Sequence, residues 1–338
     1  MLYGRQTWLF ENKPVILSTG VVGGPFEKDG NIPDAFDFLY DDMWLKQASF
    51  EKAQTMMLED AGKYALTKAG IKKDQVNFFI SGDLTNQITP TSFAAKTLEI
   101  PYIGIFSACA TVTESLAMAA FYLNSQGAEY ILSGTASHNA AAERQFRFPT
   151  EYGGQKPPTA QWTVTGAGCA LLGKEGSGPV ITSATIGKIV DMGITDPFNM
   201  GGAMAPAAAD TILTHLKERE ISADYYDLII TGDLGKIGHQ ASFELLQEAN
   251  IQIDENRYVD CGMTIYAEDQ PVLAGGSGPA CAAVTTYGHF LKRLEKGEFK
   301  RILLVATGAL HSPLSMNQKD SIPCIAHAVS IEAGGDNS

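Results

Sequence analysis

The sequence predicts a duplicated α/β sandwich, and three observations carry that reading. Short unbroken runs of Ile, Leu, Val and Phe sit between Gly-rich turns, as strands covered on both faces do. Stretches with the length of helices alternate with those runs. The order of elements in the first half then recurs in the second, which marks an internal repeat.

The elements come in matched pairs. A helix-like stretch from Glu51 to Ala69 precedes the buried strand Asn77-Phe-Phe-Ile-Ser-Gly-Asp83-Leu, and one from Asp210 to Arg219 precedes Asp227-Leu-Ile-Ile-Thr-Gly-Asp233-Leu. Further helical stretches follow at Ser92 to Leu98 and at Gln240 to Ala249. Ser107-Ala-Cys109-Ala opens a helix to Gln126, capped by Gly127 and followed by the strand Tyr130 to Gly134. Gly278-Pro-Ala-Cys281-Ala opens its counterpart to Glu295, capped by Gly297 and followed by Arg301 to Gly308. The closing strands rhyme as Gly168-Cys169-Ala-Leu-Leu and Pro323-Cys324-Ile-Ala. Leu116, Ala117, Ala119, Ala120, Phe121 and Leu123 leave the helix after Cys109 almost no polar face, so it is expected to be buried. Ala282, Ala283 and Val284 suit close helix–helix approach in its mate. The two halves are expected at residues 1–178 and 179–332, with a flexible tail at 333–338 and the helix starts facing a shared cleft. Asp196 to Pro206 has the composition of a chain crossing between halves.

Composition narrows the function. A chain of 338 residues, 45% hydrophobic and 19% charged, builds a core, so disorder is excluded as its main state. Its net charge of −13 is the wrong sign for a nucleic-acid backbone. The longest apolar runs, such as Ile302 to Ala306, are strand-sized and far below the roughly 18 residues of a spanning helix. No signal peptide is expected at Met1 to Phe10. Five scattered cysteines without a CxxC pair encode neither a zinc knuckle nor a disulfide framework, so a reduced, intracellular protein with no metal or cofactor of its own is expected. No GxGxxG or GxxxxGKS phosphate loop is present.

The residues able to do chemistry are few. Cys109 sits at a strand-to-helix junction, where the helix dipole favours the thiolate of acyl transfer; its other reading is a small buried hydrophobe. Cys281 reads as structural. Asp83 and Asp233 follow buried strands, where a carboxylate serves as a site group or as a turn or cap, and Asn86 nearby has the same two readings. His239 opens a helix and either points into the cleft or is solvated. His138 and His311 follow equivalent strands, while His215 and His289 lie within helical stretches and read as structural. The loop Glu151 to Trp162, rich in Gly, Pro and aromatics, is of the kind that covers a site or makes a rigid connection.

At these residues the chain resembles the thiolase superfamily. Ser107-Ala-Cys109-Ala with its small-residue helix is similar to the nucleophile segment of condensing enzymes, and Thr165-Gly-Ala-Gly-Cys-Ala-Leu-Leu to their Gly-Ala-Gly hairpin. The resemblance implies an α-β-α-β-α five-layer sandwich and a homodimer. Within that superfamily, long stretches (Phe10 to Phe26, Gly153 to Gly168, Asp196 to Pro206, Ser321 to Glu332) resemble the AD family of stage V sporulation proteins; only 333–338 falls outside. That implies a soluble, peripheral, dipicolinic-acid-binding member of the SpoVA assembly at the spore inner membrane, acting in sporulation and germination with SpoVA membrane proteins as partners. No spanning segment, lipidation signal or polybasic cluster accompanies it. The chain also departs from the enzymes. Gly275-Gly-Ser-Gly-Pro279 stands where their Gly-Asn or Gly-His-Pro motif lies, and His239-Gln-Ala is followed by Ser242 instead of Asn. A binding protein with ligand groups among Cys109, Asp83, Asn86, His138, Asp233 and His239 is therefore expected, with acyl transfer through Cys109 as the rival. Calcium enters only with the ligand, as a neutral chelate that the carboxylates of Asp83 and Asp233 could meet.

Overall fold

The computed structural model describes residues 1–146 and 156–334. The first half supplies strands β1 (Val15–Gly23), β2 (Phe78–Gly82), β3 (Tyr102–Gly104), β4 (Tyr130–Ser137) and β5 (Gly166–Gly173). The second supplies β6 (Val180–Ile186), β7 (Leu228–Thr231), β8 (Tyr258–Asp260), β9 (Arg301–Ala309) and β10 (Cys324–Glu332). Their spatial order is β3-β2-β4-β5-β1 running on into β6-β10-β9-β7-β8. Each strand of one half thus occupies the place of the strand numbered five higher in the other. The pairing agrees as well: β5 is antiparallel to β1 and β4, while β2 is parallel to β4 and β3. β10 and β7 repeat this against β6, β9 and β8. The two five-stranded sheets meet at a single antiparallel pair, Val15 with Val180.

The main helices are α1 (Phe50–Ala69), α2 (Thr89–Leu98), α3 (Thr111–Asn124), α4 (Asn139–Phe146), α5 (Met200–Arg219), α6 (Gly235–Glu248) and α7 (Pro279–Thr285). Ser49 caps the start of α1 by accepting from Lys52 N–H, and Gly70, at φ 68°, ends it. α1 and α2 cover the outer face of the first sheet, α5 and α6 that of the second, and α3 and α7 lie between the sheets. The layers run α-β-α-β-α, as the sequence implied. α3 touches strands of both sheets, which is why Leu116, Ala117, Ala119, Ala120 and Leu123 are fully buried. Each buried Leu contributes about 1.5–3 kcal/mol relative to exposure.

Three local expectations change. Phe121, expected inside with the rest of its helix, is 40% exposed and packs on Trp8 of the N-terminal segment with ring centroids 4.7 Å apart. The left-handed residue that ends α3 is Gln126, at φ 62°, and not Gly127. The crossing segment from Asp196 is shorter than expected because α5 already begins at Met200, capped by Asn199 Oδ1 on Gly202 N–H at 3.3 Å. Pro206 lies inside α5, where it forgoes one backbone hydrogen bond. No helix among the described residues is long and apolar enough to cross a membrane.

Candidate ligand-binding cleft

The cleft forms where the parallel strands β2, β4, β7 and β9 end, the usual location of ligand sites in α/β sheets. After β3 the chain turns through a 3₁₀ turn, Ala108–Ala110, before α3 begins at Thr111. Three bonds hold this turn: Ala110 N–H to Ser107 O at 3.0 Å, Thr111 Oγ1 to Ala108 O at 2.6 Å, and Ser107 Oγ to Glu114 Oε2 at 2.6 Å. Ala108 takes φ 49°, a left-handed conformation uncommon outside glycine. β9 supports the turn from below through Gly308, where a Cβ would lie 2.1 Å from Ser107 O. Only glycine permits that approach, and it sets the position of Cys109.

Asp233, directly after β7, faces Cys109. Its Oδ1 accepts from Thr307 Oγ1 at 2.8 Å and its Oδ2 from Gly278 N–H at 3.0 Å, and the Cys109 thiol donates to the same carboxyl. Gly278, at φ 94°, opens α7 in a conformation that would bring a Cβ 2.9 Å from Ser137 Oγ. Gln161 Nε2 donates to Asp233 O at 2.7 Å. Burial lifts the Asp233 carboxyl to about 7 against the opposing pull of Cys109 and Thr307. The sequence expectation for Cys109 reverses here. Burial, then the Asp233 carboxylate, push its thiol well above the ordinary range. The N–H groups of Gly278, at the start of α7, and of Cys109 pull the other way and are outweighed.

The space beside this pair amounts to about 670 Å³, including solvent at its mouth. Phe106, Phe146, Met200, Met204 and Met316 give it apolar walls, and Cys109, Asp233, Gln161, Thr163, Ser277 and His311 give it polar groups. No Lys or Arg lines it among the described residues.

Of the six residues singled out in the sequence, the structure brings Cys109 and Asp233 together in this cleft and places the other four outside it. Asp83 is a cap: one oxygen accepts from Thr85 N–H at 2.8 Å and from Thr85 Oγ1, the other from Thr91 N–H at 3.1 Å and Thr91 Oγ1 at 2.5 Å. Its pKa is raised by burial, against those four bonds. Asn86 is exposed on the surface, its N–H donating to Gln145 Oε1 at 2.9 Å. His138 is buried against Phe50 with Nε2 on Met43 O at 2.8 Å. His239 stacks on Tyr258 and bonds Tyr258 O at 3.0 Å, so it turns away from the cleft. Asp83 and Asp233 therefore share no cation, and among the described residues no three His, Cys, Asp or Glu side chains converge as a metal site. Cys281 is buried, with Sγ donating to Gly232 O at 3.4 Å.

The sequence reading missed Thr307, Gln161, Ser277 and the Met walls, and left His311 level with His138. The strand equivalence of β4 and β9 is real, but only the second histidine reaches the cleft. Of the loop Glu151 to Trp162, residues 151–155 lie outside the described residues, as do 335–338 of the tail; its Gln161 end does line the cleft.

Comparison with known proteins agrees with this architecture. Residues 4–332 match the family described as stage V sporulation protein AD (SpoVAD). The chain is 48% identical over 337 residues to "Stage V sporulation protein AD" of Bacillus subtilis (strain 168), covering 100% of this chain and 99% of that protein. Among solved structures it is similar to 3-oxoacyl-[acyl-carrier-protein] synthase III from Aquifex aeolicus VF5, with TM-score 0.58, 15% identity, and 94% and 99% of the two chains covered. Human mitochondrial 3-ketoacyl-CoA thiolase in complex with CoA gives TM-score 0.62 at 13% identity over 96% and 99% of the chains. Cerulenin-bound OleA of Xanthomonas campestris gives 0.61 at 14% over 96% and 100%. At such identities these three show the fold alone. A thiolase-like frame that carries a sporulation sequence from end to end settles the assignment, and the chain belongs to the stage V sporulation protein AD (SpoVAD) family.

Proposed function

We propose that the cleft beside Cys109 binds dipicolinic acid, and that the chain is a non-catalytic, peripheral subunit of the SpoVA assembly at the spore inner membrane. In that role it supports dipicolinate uptake in sporulation and release in germination, as a homodimer docked on SpoVA membrane proteins. The observation that carries the non-catalytic reading is the partner of Cys109. It is a carboxyl and not an imidazole, and burial together with that carboxyl's negative charge keeps the thiol proton in place. A thiol that stays protonated is a poor nucleophile. The rest of the cleft fits a flat aromatic diacid: Phe and Met side chains suit the ring faces, and the hydroxyls of Thr163 and Ser277 can donate to its carboxylates. Dipicolinate is rigid, so it loses little conformational entropy on binding.

Titration calorimetry with dipicolinate tests this. One ligand per chain is expected, bound at least tenfold more tightly than benzoate; equal affinity for the two would refute the reading. A calcium arm separates the free dianion from the neutral chelate. The second reading, acyl transfer, draws on His311 lining the same cleft as Cys109. It requires an acyl mass on Cys109 after incubation with acyl-CoA.

A further inference from the structure

Asp233 is a buried carboxyl in the wall of a cleft that no Lys or Arg lines among the described residues. Its three partners, Thr307 Oγ1, Gly278 N–H and the Cys109 thiol, are neutral donors that bring no positive charge. The groups facing it from neighbouring elements are acids: Cys109 from the turn before α3, Cys281 from α7, Asp260 and Cys261 from the end of β8, and Cys324 from β10. His311, after β9, is the one basic side chain lining the cleft among the described residues. An anion entering here meets a carboxyl without a counter-ion, in surroundings where like charges repel strongly.

Resting on the reading of this cleft as a dicarboxylate site, we infer that Asp233 takes up one proton when the ligand enters, so that ligand dianion and proton bind together. The proton comes from solvent and settles on Oδ1, because Oδ2 must go on accepting from Gly278 N–H; the Thr307 hydroxyl turns to accept it. The free site is already poised for this, since burial, with Asp260 nearby, holds the carboxyl near neutrality at about 7. The ligand's own carboxyls, with ordinary values near 4, stay ionised over the range that matters. Linkage fixes the sign: affinity is flat well below pH 7 and falls above it, by up to tenfold per pH unit, because the site must first be protonated.

Calorimetry of the full chain with dipicolinate, from pH 6 to 8.5 in buffers of different ionisation enthalpy, tests the inference. At pH 8 the expected result is uptake approaching one proton per ligand, with Kd rising steadily above pH 7. Asp233→Asn keeps a neutral side chain of the same shape and is expected to lose both the uptake and the slope; His311→Gln is expected to keep them. Heats and Kd that ignore pH and buffer, or a slope that disappears in His311→Gln, overturn proton uptake at Asp233 while leaving dipicolinate binding standing. Absence of heat at every pH overturns the binding reading and this inference with it. If Asp233→Asn does not fold, the wild-type proton count read together with that of His311→Gln decides the matter.

Discussion

The chemistry of the site comes down to a buried thiol and the carboxyl that faces it. Cys109 donates to Asp233, and burial together with that carboxyl's charge holds the thiol in its protonated form. At pH 8 Cys109 should therefore react with iodoacetamide at least about tenfold more slowly than glutathione. The other four cysteines are buried, so the peptide carrying Cys109 reports the rate. Removing the charge in Asp233→Asn lowers the thiol's pKa and should speed the reaction; a variant as slow as wild type would show that burial alone silences the thiol. From the residues in order, Cys109 and Asp233 were legible as candidates because each follows a recognisable strand. Their meeting was not, since it depends on Thr307 and Gly308 and on Gly278, distant from Cys109 in sequence and brought to it only by β7, β9 and α7. The helix-dipole argument for a reactive thiolate failed for a local reason: Cys109 is buried against the Asp233 carboxyl, and desolvation and that carboxyl's charge outweigh the nearby N–H groups.

At the scale of elements, α5 is tied to the second sheet by a buried polar chain. His215 Nδ1 meets Thr185 Oγ1 of β6 at 2.7 Å, and its Nε2 meets the Tyr226 hydroxyl ahead of β7 at 2.7 Å. Burial, and Arg219 nearby, hold this imidazole neutral down to about 3. The unfolded chain takes up that proton near 6.5, so the stability from His215 is complete above pH 6.5 and drains away as pH falls toward 3. Between pH 6.5 and 4.5 wild type should lose roughly 2–3 kcal/mol that His215→Gln does not, measured as the narrowing gap between their denaturant unfolding energies. A gap that stays constant over that range would place the charge change elsewhere. His215 was read as structural from its place in a helical stretch, and its partners explain why. The start of α5 was not legible, because Met200-Gly-Gly-Ala-Met-Ala-Pro206 looks like a connection by composition. Asn199 and burial against β9 and β10 make it helix.

Across the whole molecule, the repeat was the most legible feature. Strand runs that rhyme in order imply two sheets of like topology, and the structure lays them out strand for strand about the Val15–Val180 junction. The duplication also explains which candidates misled. Asp83 and His138 occupy places like those of Asp233 and His311, yet in the first half they became a helix cap and a core side chain. Only the second half's copies face the cleft, and sequence symmetry carries no sign of that difference. A chain of net charge −13 receiving a dianion must neutralise charge locally, by a proton at Asp233 or by calcium carried with the ligand. The account's central claim is that the ligand sits against Cys109. Alkylation of Cys109 by N-ethylmaleimide at pH 8, followed by peptide mass spectrometry over a dipicolinate titration, tests that claim most directly. The account predicts protection that saturates at the Kd found by calorimetry. Undiminished labelling of Cys109 at saturating dipicolinate would contradict it.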